Sequence, residues 1–199
     1  SGGLKSLVGC NIRFHHGPAT IKELLDAGSI GRVISAHMDA GQYLPDWHPQ
    51  EDYRRLYASN SAMGGGVILD GIHEIDYARW LFGDVSQVYC QGGKLSSLEI
   101  DTEDSVNIIM TMAAGFSVSL HMDYVQRAYC RSCKVVGETG TILWNIADGS
   151  VNLYSAQQGA WQCFPEPEGY DINQMYVDEM RHFLSCLDGK EDSKSPVSD

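Results

Sequence analysis

The stretch from Gly64 to Asp84 constrains the fold of this chain most, because three glycines lead directly into a helical pattern. An α-helix turns by about 100° per residue, so residues three and four apart share a side. One side of this helix is polar and chemically capable: Asp70, His73, Glu74 and Tyr77. The opposite side is apolar and is expected to face a core: Ile68, Ile72, Ile75 and Phe82.

The polar side of this helix has two interpretations. In one, its histidine and aspartate are hydrogen-bonded structural groups of a half-buried helix. In the other, they are acid–base groups beside a ligand. A zinc-protease motif is excluded because it needs a second histidine four residues after His73, and that position is Tyr77. We therefore expect no metal site on this helix.

The composition indicates one globular domain over residues 1–199, because 43% of the residues are hydrophobic and 20% are charged. The formal net charge of −12 argues against nucleic acid or an anionic membrane as a partner, since both require an excess of Lys and Arg. No apolar run reaches membrane-spanning length, and no signal peptide is visible. The chain begins with Ser1 rather than a methionine, so its sequence leaves export open.

Six cysteines are scattered through the chain: Cys10, Cys90, Cys130, Cys133, Cys163 and Cys186. A domain of this size does not need disulfides, which favours reduced thiols in a cytoplasmic protein. A zinc ribbon would need a second pair to match Cys130 and Cys133. In a strand, an offset of three also points the two sulfur atoms to opposite faces. We interpret the cysteines as structural.

The first part of the chain predicts a strand, a helix and a second strand. Residues Leu7 to Phe14 have the apolar and β-branched content of a strand. Gly17 and Pro18 then open a helix that Gly28 closes. Apolar and polar residues alternate over residues 33–40, which predicts another strand.

Residues 41–63 form a long connection that is rich in aromatic and polar side chains. Ordered loops of this length are often functional. Four of its side chains suit a sugar pocket: Trp47, His48, Tyr53 and Arg54. Aromatic rings stack on the C–H faces of sugars, and polar groups hydrogen-bond their hydroxyls. The alternative is a lid that packs on the domain without contacting a ligand.

From Val85 onward the pattern changes to a period of two, which predicts strands. We expect them at residues 106–112, 116–122, 131–137, 141–146, 151–154 and 161–164. A final helix from Asp171 to Gly189 is expected to bury Ile172, Met175, Tyr176, Met180, Phe183 and Leu187. The predicted fold class is α+β, with a mostly antiparallel open sheet and helices packed on one face.

Several of these motifs resemble one protein family. Gly64-Gly65-Gly66, Asp70, the run from His73 to Tyr77 and the run from Trp80 to Gly83 resemble the C-terminal domain of the glucose–fructose oxidoreductase and inositol dehydrogenase (Gfo/Idh/MocA-type) family. Its members are nicotinamide-dependent sugar and polyol dehydrogenases. The resemblance covers nearly all of this chain but only the second half of a family protein. The family's G-x-G-x-x-G turn and Glu-Lys-Pro motif are absent.

The resemblance also implies roles for individual residues. His73 would accept or donate the proton of the substrate hydroxyl, and Asp70 would assist it. Two residues separate this pair where many members have three, and both spacings keep the pair on one side of a helix. Arg13 is expected to contact substrate, and Asp76 is expected either to bind a substrate hydroxyl or to be structural. Residues 101–104, 121–124 and 137–142 resemble members that act on nucleotide-linked or acidic sugars.

The implied function is the substrate-binding and catalytic part of an oxidoreductase that interconverts a secondary alcohol and a ketone on a sugar or polyol. NAD or NADP would be bound mainly by a separate N-terminal domain, so these residues alone are expected to be inactive. The family also implies a homodimer or homotetramer formed through the sheet. The alternative is a non-catalytic sugar-binding or oligomerisation module of the same fold.

Overall fold

Eight strands form a single sheet in the computed structural model, which describes residues 5–197. The strands are β1 (Val33–Gly41), β2 (Val85–Gly93), β3 (Ser105–Met112), β4 (Ser117–Asp123), β5 (Cys130–Gly137), β6 (Gly140–Asn145), β7 (Ser150–Ser155) and β8 (Ala160–Pro165). They lie side by side in the order β2-β3-β4-β1-β5-β6-β7-β8. The strands expected from residue 33 onward are confirmed to within one residue at each end.

Neighbouring strands run antiparallel throughout this sheet except for β1 and β4, which run parallel. Ala36 and Met38 of β1 lie beside Val118 and Leu120 of β4, and all four side chains are buried. The alternating residues of both strands face the other side of the sheet. The predicted α+β class is therefore confirmed. The carboxyl ends of β1 and β4 lie next to each other because the two strands are parallel.

The helices are α1 (His16–Asp26), α2 (Val67–Asp70), α3 (Ile72–Phe82) and α4 (Gln174–Leu187). The helix expected at Gly17 is confirmed as α1, and Nδ1 of His15 accepts a hydrogen bond of 3.1 Å from the Gly17 amide at its start. Apolar residues of α1 and α3 form one core with the buried face of the sheet. No helix formed by residues 5–197 is long and apolar enough to cross a membrane.

The strand expected from Leu7 to Phe14 is wrong. The chain instead forms a short 3-10 helix at Asn11–Phe14. Consecutive residues from Cys10 to Arg13 are buried there, whereas a strand on a one-sided sheet would bury alternate residues. This segment packs against α1, α3 and α4, and those tertiary contacts override its β-branched composition.

The helix expected between Gly64 and Asp84 is divided at Gly71 into α2 and α3. A Cβ atom at this position would lie 2.6 Å from the Val67 carbonyl oxygen, so the bend requires glycine. The expected burial is also wrong in part. Glu74 and Tyr77 are fully buried, whereas Ile72 is 47% exposed. The sheet supplies a charged partner for Glu74, which the helical period alone did not reveal.

The last helix begins at Gln174 rather than at Asp171, and it buries Met175 as expected. The expected burial is wrong for four other apolar residues, each at least half exposed: Ile172, Tyr176, Met180 and Leu187. The side that packs on the Asn11–Phe14 segment carries His182 and Cys186 instead. Polar and thiol groups therefore occupy the buried side of α4.

All six cysteines are free thiols. Cys133 is buried, while Cys130 on the same strand is partly exposed. The two sulfur atoms therefore occupy different environments, as their offset of three residues predicts for a strand. Nothing in this arrangement forms a disulfide between them.

Candidate active site

A cavity of about 250 Å³ opens where β1 and β4 end and β5 begins, beneath the bend between α2 and α3. Its wall is formed by Ala40, Gly41, Gln42, Trp47, Val67, Asp70, Gly71, Glu74, Met122, Asp123, Tyr124, Tyr129 and Arg131. The parallel pairing of β1 and β4 brings Gln42 and Tyr124 to the same edge of the sheet. Aromatic, amide, carboxylate and guanidinium groups thus converge on one concave site.

A buried ion pair lies beside the cavity. Nη2 of Arg131 is 2.8 Å from Oε1 of Glu74, although the two groups are not aligned as a hydrogen bond. Burial raises the pKa of the Glu74 carboxyl, and the Arg131 guanidinium opposes that rise. Burial alone would lower the pKa of Arg131, but the Glu74 carboxylate outweighs it and raises that pKa. The two charges are paired where helix α3 meets the sheet.

Two buried N–H donors at the cavity have no hydrogen-bond partner among residues 5–197: Nε1 of Trp47 and Nε of Arg131. The Trp47 ring stands edge-on to Tyr124 at a centroid distance of 5.3 Å, which fixes its orientation. Buried donors are normally paired in folded proteins. These two groups are therefore suited to an oxygen-rich ligand in the cavity.

Asp70 and His73 lie on either side of the bend, and only Asp70 lines the cavity. The Tyr57 hydroxyl donates a hydrogen bond to Oδ1 of Asp70. Burial lowers the pKa of His73, and the positive charge of Arg131 lowers it further, against the effect of Asp76 and Asp70. The His73 imidazole is therefore neutral near pH 7, as a proton acceptor must be.

Arg13 and Asp76 contact each other rather than the cavity. Nε and Nη2 of Arg13 donate to the two carboxylate oxygens of Asp76 at 2.9 and 2.7 Å. Another Arg13 nitrogen donates to the Lys194 carbonyl. These bonds tie the Asn11–Phe14 segment to α3 and to the C-terminal tail. The expected contact of Arg13 and Asp76 with substrate stays a prediction.

The loop of residues 41–63 folds into short 3-10 turns and brings one of its four expected side chains, Trp47, to the cavity. His48 is exposed. The Tyr53 hydroxyl accepts a hydrogen bond of 3.2 Å from the Glu99 amide. Arg54 pairs with both Asp52 oxygens at 2.7 and 2.9 Å and with Glu99 at 2.9 Å. Substrate contacts by His48, Tyr53 and Arg54 stay predictions.

Sequence reasoning did not select Glu74, Arg131 or Tyr124 as site residues. The sequence did contain an indication for Arg131. On strand β5 it shares a face with the buried Cys133 and Val135. A charged residue at such a position indicates a buried partner or a site. The described residues contain no cluster of three His, Cys, Asp or Glu side chains that could hold a metal ion.

A comparison with known protein families identifies this architecture. Residues 19–143 match the model of the GFO/IDH/MocA C-terminal domain. The chain belongs to this family. The match spans the bend at Gly71, the site residues on either side of it, and the strands that form the cavity edge.

The individual relatives have low sequence identity to this chain. Inositol 2-dehydrogenase 3 of Saccharopolyspora erythraea is 28% identical over 138 residues, which is 68% of this chain and 37% of that protein. A levoglucosan dehydrogenase solved with NADH and levoglucosan has a TM-score of 0.81 at 20% identity, covering 96% of this chain and 59% of that one. An Agrobacterium radiobacter oxidoreductase solved with NAD+, L-tartaric acid and magnesium has a TM-score of 0.75 at 19% identity. The match covers 95% of this chain and 57% of that one.

These relatives are longer than the chain described here. It spans about a third of the inositol dehydrogenase and somewhat less than two thirds of the solved structures. The structural matches lie at or below 20% identity, so they establish a shared fold alone.

Proposed function

We propose that this chain is the substrate-binding and acid–base part of an NAD(P)-dependent oxidoreductase that interconverts a secondary alcohol and a ketone on a sugar or polyol. The observation that carries the proposal is the cavity at the α2–α3 bend. Asp70 lines it and His73 lies next to it. Trp47 and Arg131 also line it, and each carries a buried N–H donor with no hydrogen-bond partner among residues 5–197. Family membership adds the reaction class.

In this proposal, His73 accepts the hydroxyl proton of the substrate. Its lowered pKa keeps the imidazole neutral and ready to accept a proton near pH 7. Asp70, on the other side of the bend, orients the substrate hydroxyl or stabilises the charged imidazolium that results. The hydrogen bond from Tyr57 holds the Asp70 carboxylate in place for this role.

The start of α2 does not fit the phosphates of a dinucleotide. Gly64 to Gly66 lead into α2, but the Glu103 carboxylate already accepts a hydrogen bond of 3.0 Å from the Ile68 amide at this helix start. A negative phosphate would be repelled by that carboxylate. NAD or NADP would be bound mainly by a separate domain of the complete protein.

The second candidate is a sugar-binding or oligomerisation module without catalysis. One observation favours it: His73 is not among the residues that line the cavity. The two candidates differ in turnover. A module would bind sugar without reducing NAD or NADP, whereas the enzyme would do both.

The test uses the complete protein with NAD or NADP and a panel that includes levoglucosan, L-sorbose and myo-inositol. We expect His73→Asn to lower kcat by about 10²- to 10⁴-fold. Cofactor affinity should be unchanged, because the cofactor binds elsewhere. His37→Asn is the matched control and should retain full activity, because His37 is exposed on the uncovered face of the sheet, the face opposite the buried core.

If the His73→Asn variant is as active as the wild-type protein, the proton acceptor is a residue other than His73. Binding of sugar without any turnover would support the non-catalytic module. The 199 residues alone should show no dehydrogenase activity, since hydride transfer requires the nicotinamide to be held against the substrate carbon.

Two further expectations belong to this proposal. Six free thiols suit the reducing cytoplasm, so we propose that location for the protein. The uncovered face of the sheet carries polar residues such as Ser119 and His121 together with the exposed Ile109. Pairing of two such faces would form an isologous dimer.

A further inference from the structure

The buried charges of the cavity are neutralised inside the protein. Glu74 lies on the inward side of α3 and has no exposed side-chain surface. Arg131 is the second residue of β5 and faces the same interior, with 17% of its side chain exposed. An ion pair in such a place costs desolvation free energy, and apolar replacements of similar volume are often as stable. Stability alone therefore does not account for the pair.

Arg131 has hydrogen-bonding capacity to spare. A guanidinium group carries five N–H donors. Within residues 5–197, its one carboxylate partner is Glu74, contacted through Nη2, and its Nε donor is buried without a partner. Arg131 also lines the cavity. Glu74 therefore fixes one edge of the guanidinium while other donors remain for a ligand.

The surroundings of the cavity are acidic apart from Arg131. Asp70 and Asp123 both line it. Burial acts to raise the pKa of Asp123, but hydrogen bonds from Gln126, Val125 and His121 outweigh it and lower the pKa, so this carboxylate is ionised at neutral pH. Among the described residues that line the cavity, Arg131 is the one cation, and Glu74 already matches its charge. A substrate that carries a carboxylate or phosphate would meet excess negative charge.

The size of the cavity also restricts the class of substrate. At about 250 Å³ it is smaller than the roughly 300–1,000 Å³ typical of sites for drug-sized ligands. A single sugar ring suits this volume, whereas a nucleotide-linked sugar is much larger. The resemblance of residues 101–104, 121–124 and 137–142 to members that use nucleotide-linked or acidic sugars is therefore not matched by this cavity.

We propose that Arg131, positioned by the buried Glu74, anchors a hydroxyl or carbonyl oxygen of the substrate, and that this neutral pair selects uncharged monosaccharide-sized polyols over acidic sugars. This inference rests on the proposed function, because it names the substrate class of the same cavity. Arg131 is the residue that contacts substrate, and Glu74 acts through it as a positioning residue.

The decisive experiment measures sugar affinity in the complete protein by calorimetry, with steady-state KM and kcat where turnover occurs. Levoglucosan and myo-inositol serve as neutral probes, and L-tartrate serves as the acidic probe. We expect Arg131→Met to raise the Kd and KM for a neutral probe by about 10- to 100-fold, the range for loss of a charge-assisted hydrogen bond. Lys134→Met, three residues along β5 and exposed, is the control.

Arg131→Met alone leaves Glu74 buried without its partner and can unfold the protein. The double variant Glu74→Leu with Arg131→Met removes both charges and should fold with a Tm close to wild type. Our proposal requires this folded double variant to retain the raised Kd. A purely structural pair would instead give wild-type affinity in the double variant, and that result would overturn the assignment.

Glu74→Gln tests the selectivity. Loss of the negative charge leaves Arg131 unmatched, so the affinity for L-tartrate should rise by about tenfold relative to the neutral probe. An unchanged ratio would refute the role of the pair in substrate choice. Failure of the proposed function is separate: it would appear as Arg131-dependent sugar binding without reduction of NAD or NADP. Absence of binding of every neutral probe by the wild-type protein would overturn the substrate class.

Discussion

His15 makes the stability of this fold sensitive to acid. Its side chain is 2% exposed, and its Nδ1 accepts the hydrogen bond that begins α1. Burial lowers the pKa of His15 to about 4, and the positive charge of Arg131 contributes. Glu166 lies 3.9 Å from Nε2, beyond hydrogen-bond distance, and does not offset the burial. Protonation would place a positive charge inside the core and remove the acceptor of the hydrogen bond from Gly17.

The magnitude follows from the difference between the folded and unfolded pKa values. The unfolded value is 6.5, so the difference is about 2.5 units, and each unit corresponds to about 1.4 kcal/mol. Between pH 4 and 6.5 the unfolded chain binds more protons than the folded chain at this site. The free energy of unfolding therefore falls as the pH drops through this window, by about 3 kcal/mol between pH 7.5 and 4.

His15→Asn isolates this effect, because the asparagine oxygen can accept the same hydrogen bond from Gly17 without titrating. Denaturant unfolding followed by tryptophan fluorescence should be measured for both proteins at pH 7.5, 6, 5 and 4. We expect the variant to gain about 3 kcal/mol relative to wild type between pH 7.5 and 4. A stability difference that stays constant across the series would refute the reasoning.

Three further predictions concern other parts of the molecule. Asp76→Asn breaks the buried bidentate pair with Arg13 and should lower the free energy of unfolding by about 3–5 kcal/mol, measured by denaturant titration. Trp47→Ala should raise the KM for a sugar substrate more than Arg54→Ala, because Trp47 lines the cavity and Arg54 is held by nearby carboxylates. Ile109→Glu, on the uncovered face of β3, should convert a sheet-mediated dimer to a monomer in sedimentation velocity, and unchanged sedimentation would exclude that interface.

The sequence alone determined the strands from residue 33 onward, the existence of the main helices, and the family. Period-two alternation in β1, β3 and β4 is a property of each strand by itself, since side chains of a strand point to opposite faces in turn. The run from Gly64 to Gly83 carried both the helix and the resemblance that the family match confirmed. These features depend on neighbours within a few residues, so a single sequence is enough to reveal them.

The tertiary structure alone decided which sides of α3 and α4 are buried and which residues form the site. The helical period separated the polar and apolar sides of α3. Glu74 is nevertheless buried against the sheet, because it pairs there with Arg131, which lies 57 positions later in the chain. The parallel pairing of β1 with β4 brought Gln42 beside Tyr124. Such contacts join residues far apart in sequence, and their energy comes from burial and charge pairing that no local pattern records.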